Sequence, residues 1–327
     1  MRIDIKRDQL AQIPYLDISA LGDRRAHLMP LWDGAQWHMW VPRNEKLEHI
    51  TPLDAMWVDY VARHPANDSD VTIPFIEFAW QRASWPEACP FISGIIHDFH
   101  NLATSVAKID HYFKAREQIG KGVTLFVSTE FEHLFIFSKS VLDLLHETVA
   151  SIWKKRIKLN DPAADRRKGA LPQRLSRILL REGEVTRSAD EIARTFSLPP
   201  ALSAAYATAA PFFGKIREHR DAFVHGGRQP SWFFDTEKGF CIEKGSPEFN
   251  LFTVWKEEHG YNERLVSVRP LIAHLVSQTI ATCNDLMESF ARQIRFPEEI
   301  APGYKIFTRG LHNTALTQLR MGSPWWS

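Results

Sequence analysis

Arg220 and His225 are the two residues whose types and spacing carry the clearest chemistry in this chain. They stand in the run Arg220-Asp221-Ala222-Phe223-Val224-His225, just before Gly226-Gly227. A guanidinium is a permanent cation, and an imidazole exchanges protons near neutral pH. Together they suit cleavage of a phosphodiester: the cation stabilises charge gathering on the phosphate oxygens while the imidazole moves a proton. Asp221 is placed to orient one of the two. On a straight helix five residues turn through about 140°, so the pair shares a face only if the last turn departs from ideal geometry. Arg220 also falls nearly in line with Phe213 and Ile216. A charge on such a stripe must find a partner, reach water past the helix edge or meet an interface. The competing, purely structural reading is an i,i+4 pair between Arg217 and Asp221, with His225 a cation at a helix end.

The elements that must position these residues are mostly helical. Ile92, Ile95, Ile96, Phe99, Leu102, Ala103, Val106, Ile109 and Phe113 recur at three- and four-residue steps, which predicts one long helix ending near Gly120. Phe131, Leu134, Phe135, Val141, Leu142, Leu145, Val149 and Ile152 predict a second, antiparallel to the first. A linker, NDPAADRRKGALP, leads to a short helix over 172–181, and Ser188 with Glu191 forms a capping box for the next. The motif helix is expected over 202–225, bent at Pro211, and a last helix over 270–294. Between 232 and 252 the period drops to two around Glu237-Lys238-Gly239, a hairpin insertion. Residues 1–87 read as irregular, with a hairpin at Asp33-Gly34 and a helix from Thr51-Pro52 to about Arg63.

Two long helices, a linker, a motif helix and a final helix: with Arg220, Asp221 and His225, this order resembles the HEPN superfamily. Its helical bundle carries R-x4-6-H near the end of the third helix. The resemblance covers 88–296 and implies a mainly α fold, an HEPN-like antiparallel helical bundle with a small β-hairpin insertion (about 231–256). The irregular region 1–87 and a tail, 297–327, lie outside it. It further implies a homodimer whose paired motifs form a metal-independent endoribonuclease site, leaving 2′,3′-cyclic phosphate. The alternative is a non-catalytic helical interaction protein on the same fold.

Charge supports an RNA partner locally rather than globally. Lys and Arg number 40 against 39 Asp and Glu, a net charge of +1. Yet 154–187 carries an excess of seven positive charges, and Lys154, Lys155, Arg156, Arg166, Arg167 and Lys168 are the residues expected to hold substrate phosphates. The three cysteines, Cys89, Cys241 and Cys283, form no C-x-x-C, which fits a reducing compartment. Without an apolar leader or an apolar run near eighteen residues, the expectation is a cytoplasmic protein with no membrane partner. No cofactor and no metal are expected. Glu130 and His133 make an E-x-x-H step, but no predicted helix supplies the second one a di-iron bundle needs. His97, Asp98 and His100 read as a solvated face. A helix-turn-helix at 190–213 would present an alanine-rich recognition helix with no side chain to read bases. Phosphate-loop and nucleophile-elbow patterns are absent from the sequence. The N-terminal tryptophans are expected to pack that region rather than stack on bases.

Overall fold

The computed structural model describes residues 5–182, 185–224, 231–310 and 312–320. After two short helices, α1 (Arg7–Leu10) and α2 (Ile18–Leu21), the chain enters a sheet. The Asp33 carboxylate accepts the N–H groups of Ala35 and Gln36, and Gly34 takes φ +109°, so β1 (Leu31–Trp32) turns back into β2 (Trp37–Arg43). Asn44 and Glu45, both left-handed, reverse the chain again into β3 (Lys46–Ile50). β4 (Val58–Ala62) then lies parallel to β1, pairing Leu31 with Val61.

The helical layer follows: α3 (Pro74–Ala83), α4 (Cys89–Lys114), α5 (Arg116–Ile119), a 3-10 turn at Gly120–Gly122, and α6 (Val123–Trp153). Three shorter helices, α7 (Pro162–Arg167), α8 (Leu175–Leu179) and α9 (Ala189–Phe196), precede α10 (Pro200–Val224). β5 (Phe234–Thr236), β6 (Gly239–Glu243), α11 (Pro247–Leu251) and β7 (Leu265–Ser267) lead into α12 (Arg269–Gln293). The chain finishes its described part with β8 (Lys305–Arg309) and α13 (Asn313–Arg320).

The long helices form where the apolar period placed them. Ile92, Ile95, Phe99, Leu102, Val106, Ile109 and Phe113 of α4 are buried against Val127, Phe131, Leu134, Val141 and Leu145 of α6. Each fully buried Leu, Ile or Phe contributes about 1.5–3 kcal/mol, so this shared face, more than helix propensity, holds the pair. α10 packs on α6, α9 and α12, and it continues through Pro211.

The expected mainly α, HEPN-like bundle is overturned. A five-stranded mixed sheet, ordered β3-β2-β1-β4-β8, and a three-stranded sheet, β5-β6-β7, make this an α/β fold. The larger sheet arises from the stretch read as irregular and from residues near the far end of the chain. β4 pairs antiparallel with β8, Tyr60 opposite Phe307. Val61 faces one apolar cluster with Leu31, Trp80 and Ile306, while Tyr60 and Ala62 face another with Trp37 and Phe307. β4 is buried on both faces from Tyr60 to Ala62, so it shows no alternation of apolar and polar residues. The helix expected from Thr51 to about Arg63 does not form: 51–57 are irregular with bends, and 58–62 are β4, whose residues find strand partners in β1 and β8.

Candidate functional site

The end of α10 gathers charge around one carboxylate. Phe213 and Ile216 are wholly buried, and the stripe they start runs out at Arg220, which is half-buried at the helix edge. Arg220 donates from an Nη to Asp221 Oδ1 at 2.9 Å, and Arg217 Nε approaches Asp221 Oδ2 at 3.3 Å. The i,i+4 pair anticipated as the structural reading is therefore present, and Arg220 joins it. Two guanidiniums on one carboxylate leave a net positive charge on side chains that are 25–34% exposed. His225, the imidazole of the motif, lies outside the described residues.

A second imidazole on this helix escaped the sequence reading. His219, 3% exposed, sits edge-on to Phe131 and 4.1 Å from the Phe135 ring. Its Nε2 is 3.4 Å from Glu248 Oε1 of α11, and Ser231 Oγ donates to the same carboxylate. The pair ties α11 to α10. Beside it opens a cavity of about 440 Å³ lined by Glu218, His219, Gly245, Pro247, Asn250 and Leu251. Nothing local in the sequence marks Glu248 as a partner for position 219; the hairpin insertion brings it there.

The basic stretch does not adjoin this site. Arg156 bonds Asp23 and Glu87, and the Glu87 carboxylate foremost raises its already high pKa. Lys168 is bound to Asp165 at 2.8 Å and to the Ile157 carbonyl, with its side chain 7% exposed. Both are committed to holding the fold. Lys154, Lys155, Arg166 and Arg167 stand exposed. Arg167 lines a cavity with Pro199 and Pro200, where α10 begins. Twenty residues of helix, about 30 Å, separate that end from Arg220. Contacts along α6 agree: His146 meets Tyr206, whereas Phe135 meets His219.

The region around His100 departs from the solvated face expected for it. His97 is exposed, but His100 Nε2 donates to Asp59 Oδ2 of β4 at 2.8 Å and its Nδ1 accepts from Trp57 at 3.4 Å. Thr308 of β8 donates to the other Asp59 oxygen at 2.7 Å. His312 stands edge-on to His100 with ring centres 5.7 Å apart, and burial, aided by His100, pushes its pKa down. The adjoining cavity, about 20 Å³, has room for one water and no larger ligand. This cluster therefore ties the large sheet to α4 and α13.

Glu130 is buried and bonded to Lys108 at 2.9 Å, with His133 at 3.4 Å. Among the described residues no three His, Cys, Asp or Glu gather at metal-binding distances. The alanine-rich start of α10 buries Leu202, Ser203, Tyr206, Ala209 and Ala210, so it is unavailable to a DNA groove. Trp37, Trp40 and Trp80 are buried in the sheet region and Trp85 in the helical core, while Trp57 is exposed. No described helix is long and apolar enough to cross a membrane. Compared with family models, curated proteins and solved structures, the chain matches none of them.

Proposed function

We propose that the protein binds single-stranded RNA and cleaves it beside the end of α10 without a metal ion. The observation that carries this reading is the pair of guanidiniums, Arg217 and Arg220, fixed by Asp221 ahead of His225 in the sequence. His225 takes the proton of a ribose 2′-hydroxyl; the freed oxygen attacks phosphorus, the P–O5′ bond breaks as the 5′-oxygen takes a proton from water, and His225 then returns its own proton to the solvent. The products are a 2′,3′-cyclic phosphate and a 5′-hydroxyl. Arg220 stabilises the charge of the transition state, with Arg217 beside it. Support from family resemblance is confined to the R-x4-H spacing, because the α/β architecture lends it none. One motif per chain motivates a homodimer that brings two such helix ends together, and light scattering at micromolar concentration is expected to give twice the 37.6 kDa chain mass. A monomer would count against a composite site.

The test is RNA cleavage in EDTA. His225→Ala and Arg220→Ala should each lower the rate by about 10²–10⁴-fold while thermal melting stays cooperative. Arg220→Lys keeps the charge but loses the planar fork, and should restore only part of the rate. DNA, lacking the 2′-hydroxyl, should survive. Cleavage that persists at full rate in His225→Ala would sink the mechanism. Binding without cleavage in the wild type would favour an RNA-binding role in which Asp221 simply pairs two arginines.

A further inference from the structure

The cavity beside the motif presents hydrogen-bond acceptors from its side chains. Glu218 lines it, is exposed, and makes no hydrogen bond or ion pair among the described residues. Asn250 donates one of its two amide N–H groups to the Gly245 carbonyl at 2.9 Å, which fixes the carboxamide at the cavity wall. Pro247 and Leu251 add apolar surface, and the His219–Glu248 pair holds α11 in place beneath. At about 440 Å³ the space lies in the range of small-ligand sites, which run from about 300 to 1,000 Å³. A free carboxylate repels phosphate, so this cavity complements the two arginines rather than duplicating them.

We propose that this cavity holds a guanine base of the RNA, recognised by Glu218 through the base's adjacent N1–H and N2–H donors. The assignment rests on the cleavage-site reading of α10 for its substrate class. Unstacked bases in single strands offer their Watson–Crick edges to protein side chains. A carboxylate has two acceptors side by side and no donor. Guanine alone presents two adjacent donors to match them. Adenine and cytosine each set one amino group next to a ring acceptor, and uracil flanks its single N–H with two carbonyls. Each of those pairings puts a lone pair against the Glu218 carboxylate. The Asn250 carboxamide lines the same cavity.

The experiment measures affinity and cleavage separately. Hexanucleotides of uridine carrying one guanine, inosine, adenine or cytosine are made in two forms, all-ribose and 2′-deoxy throughout to prevent cleavage. Full-length protein should bind the guanine-bearing deoxy form about 10- to 100-fold more tightly than the adenine, cytosine or plain uridine forms. Inosine, which keeps N1–H and lacks the amino group, should fall between. Glu218→Gln replaces one acceptor with a donor and should bring the affinities together; melting of the variant checks that it folds. Equal affinities in the wild type, or a guanine preference surviving in Glu218→Gln, would overturn the assignment. Preferential binding of guanine without cutting of the all-ribose form would remove the cleavage reading and leave the base site standing. Cutting of the all-ribose series without guanine preference would do the reverse, and no binding to any member would refute both.

Discussion

At the scale of single residues, the buried imidazole of His146 has the most readable energetics. Its Nε2 lies 2.7 Å from the Pro172 carbonyl, which only accepts, so that nitrogen carries the proton. Nδ1, 2.9 Å from the Tyr206 hydroxyl, is therefore the acceptor, and the neutral ring is fully satisfied. Burial drives its pKa down from 6.5 to about 4, against a smaller upward pull from the Pro172 carbonyl. The folded state thus binds the proton less readily than the unfolded chain. Stability from this residue is fully present above pH 6.5 and is lost as pH falls towards 4, by up to about 3 kcal/mol. Urea unfolding at pH 7.5 and pH 5 should show the loss. His146→Gln should reduce it without abolishing it, because His312 is shifted in the same direction by burial. An unchanged pH slope in that variant would contradict the assignment.

Among elements, the end of β8 is the place where a single methyl group should matter. A Cβ built on Gly310 would come within 2.6 Å of the His312 ring. That ring is 8% exposed and hemmed in by His100 and Trp57, so it has little freedom to yield. Gly310→Ala should destabilise the fold by about 1–3 kcal/mol, the range for overpacking a filled site, read as a lower melting temperature. Gly122→Ala, where no atom lies within 4 Å of the added Cβ, serves as the control and should change little. If both behave alike, the seam between sheet and helices is looser than its contacts imply.

Across the whole molecule, exposed Arg167 at one end of α10 and the arginine pair towards the other, about 30 Å apart, set how RNA would lie. A strand reaching both ends would run along the helical layer. Reversing the charge of Lys154, Lys155, Arg166 and Arg167 together should weaken binding and flatten its dependence on log salt by up to about 3, since each single-strand phosphate contact contributes about 0.7. Fluorescence anisotropy between 50 and 200 mM salt measures both effects. Arg156 is left out of that set because its bonds to Asp23 and Glu87 would be broken as well. An unchanged slope would remove the stretch from the RNA path and leave it a solvated surface.

Much of the local structure was legible before any tertiary contact was considered. The apolar stripes of α4, α6 and α12 are buried where their three- and four-residue steps place them. The Ser188–Glu191 capping box makes both of its bonds, and Gly239, at φ +116°, turns β5 into β6. Positive φ, capping and helical period act within a few residues, so type and spacing suffice to specify them. The large sheet was hidden because β4 depends on β8, nearly 250 residues later, and neither strand is longer than five residues. The same holds for the site. The spacing of Arg217 and Asp221 foretold an ion pair, but only packing could add Arg220 to it, bring Glu248 to His219, open a cavity beside Glu218, or set Arg167 at the opposite end of α10. Burial preference is a property each residue carries alone; its partner is chosen by the shape of everything else that is buried with it.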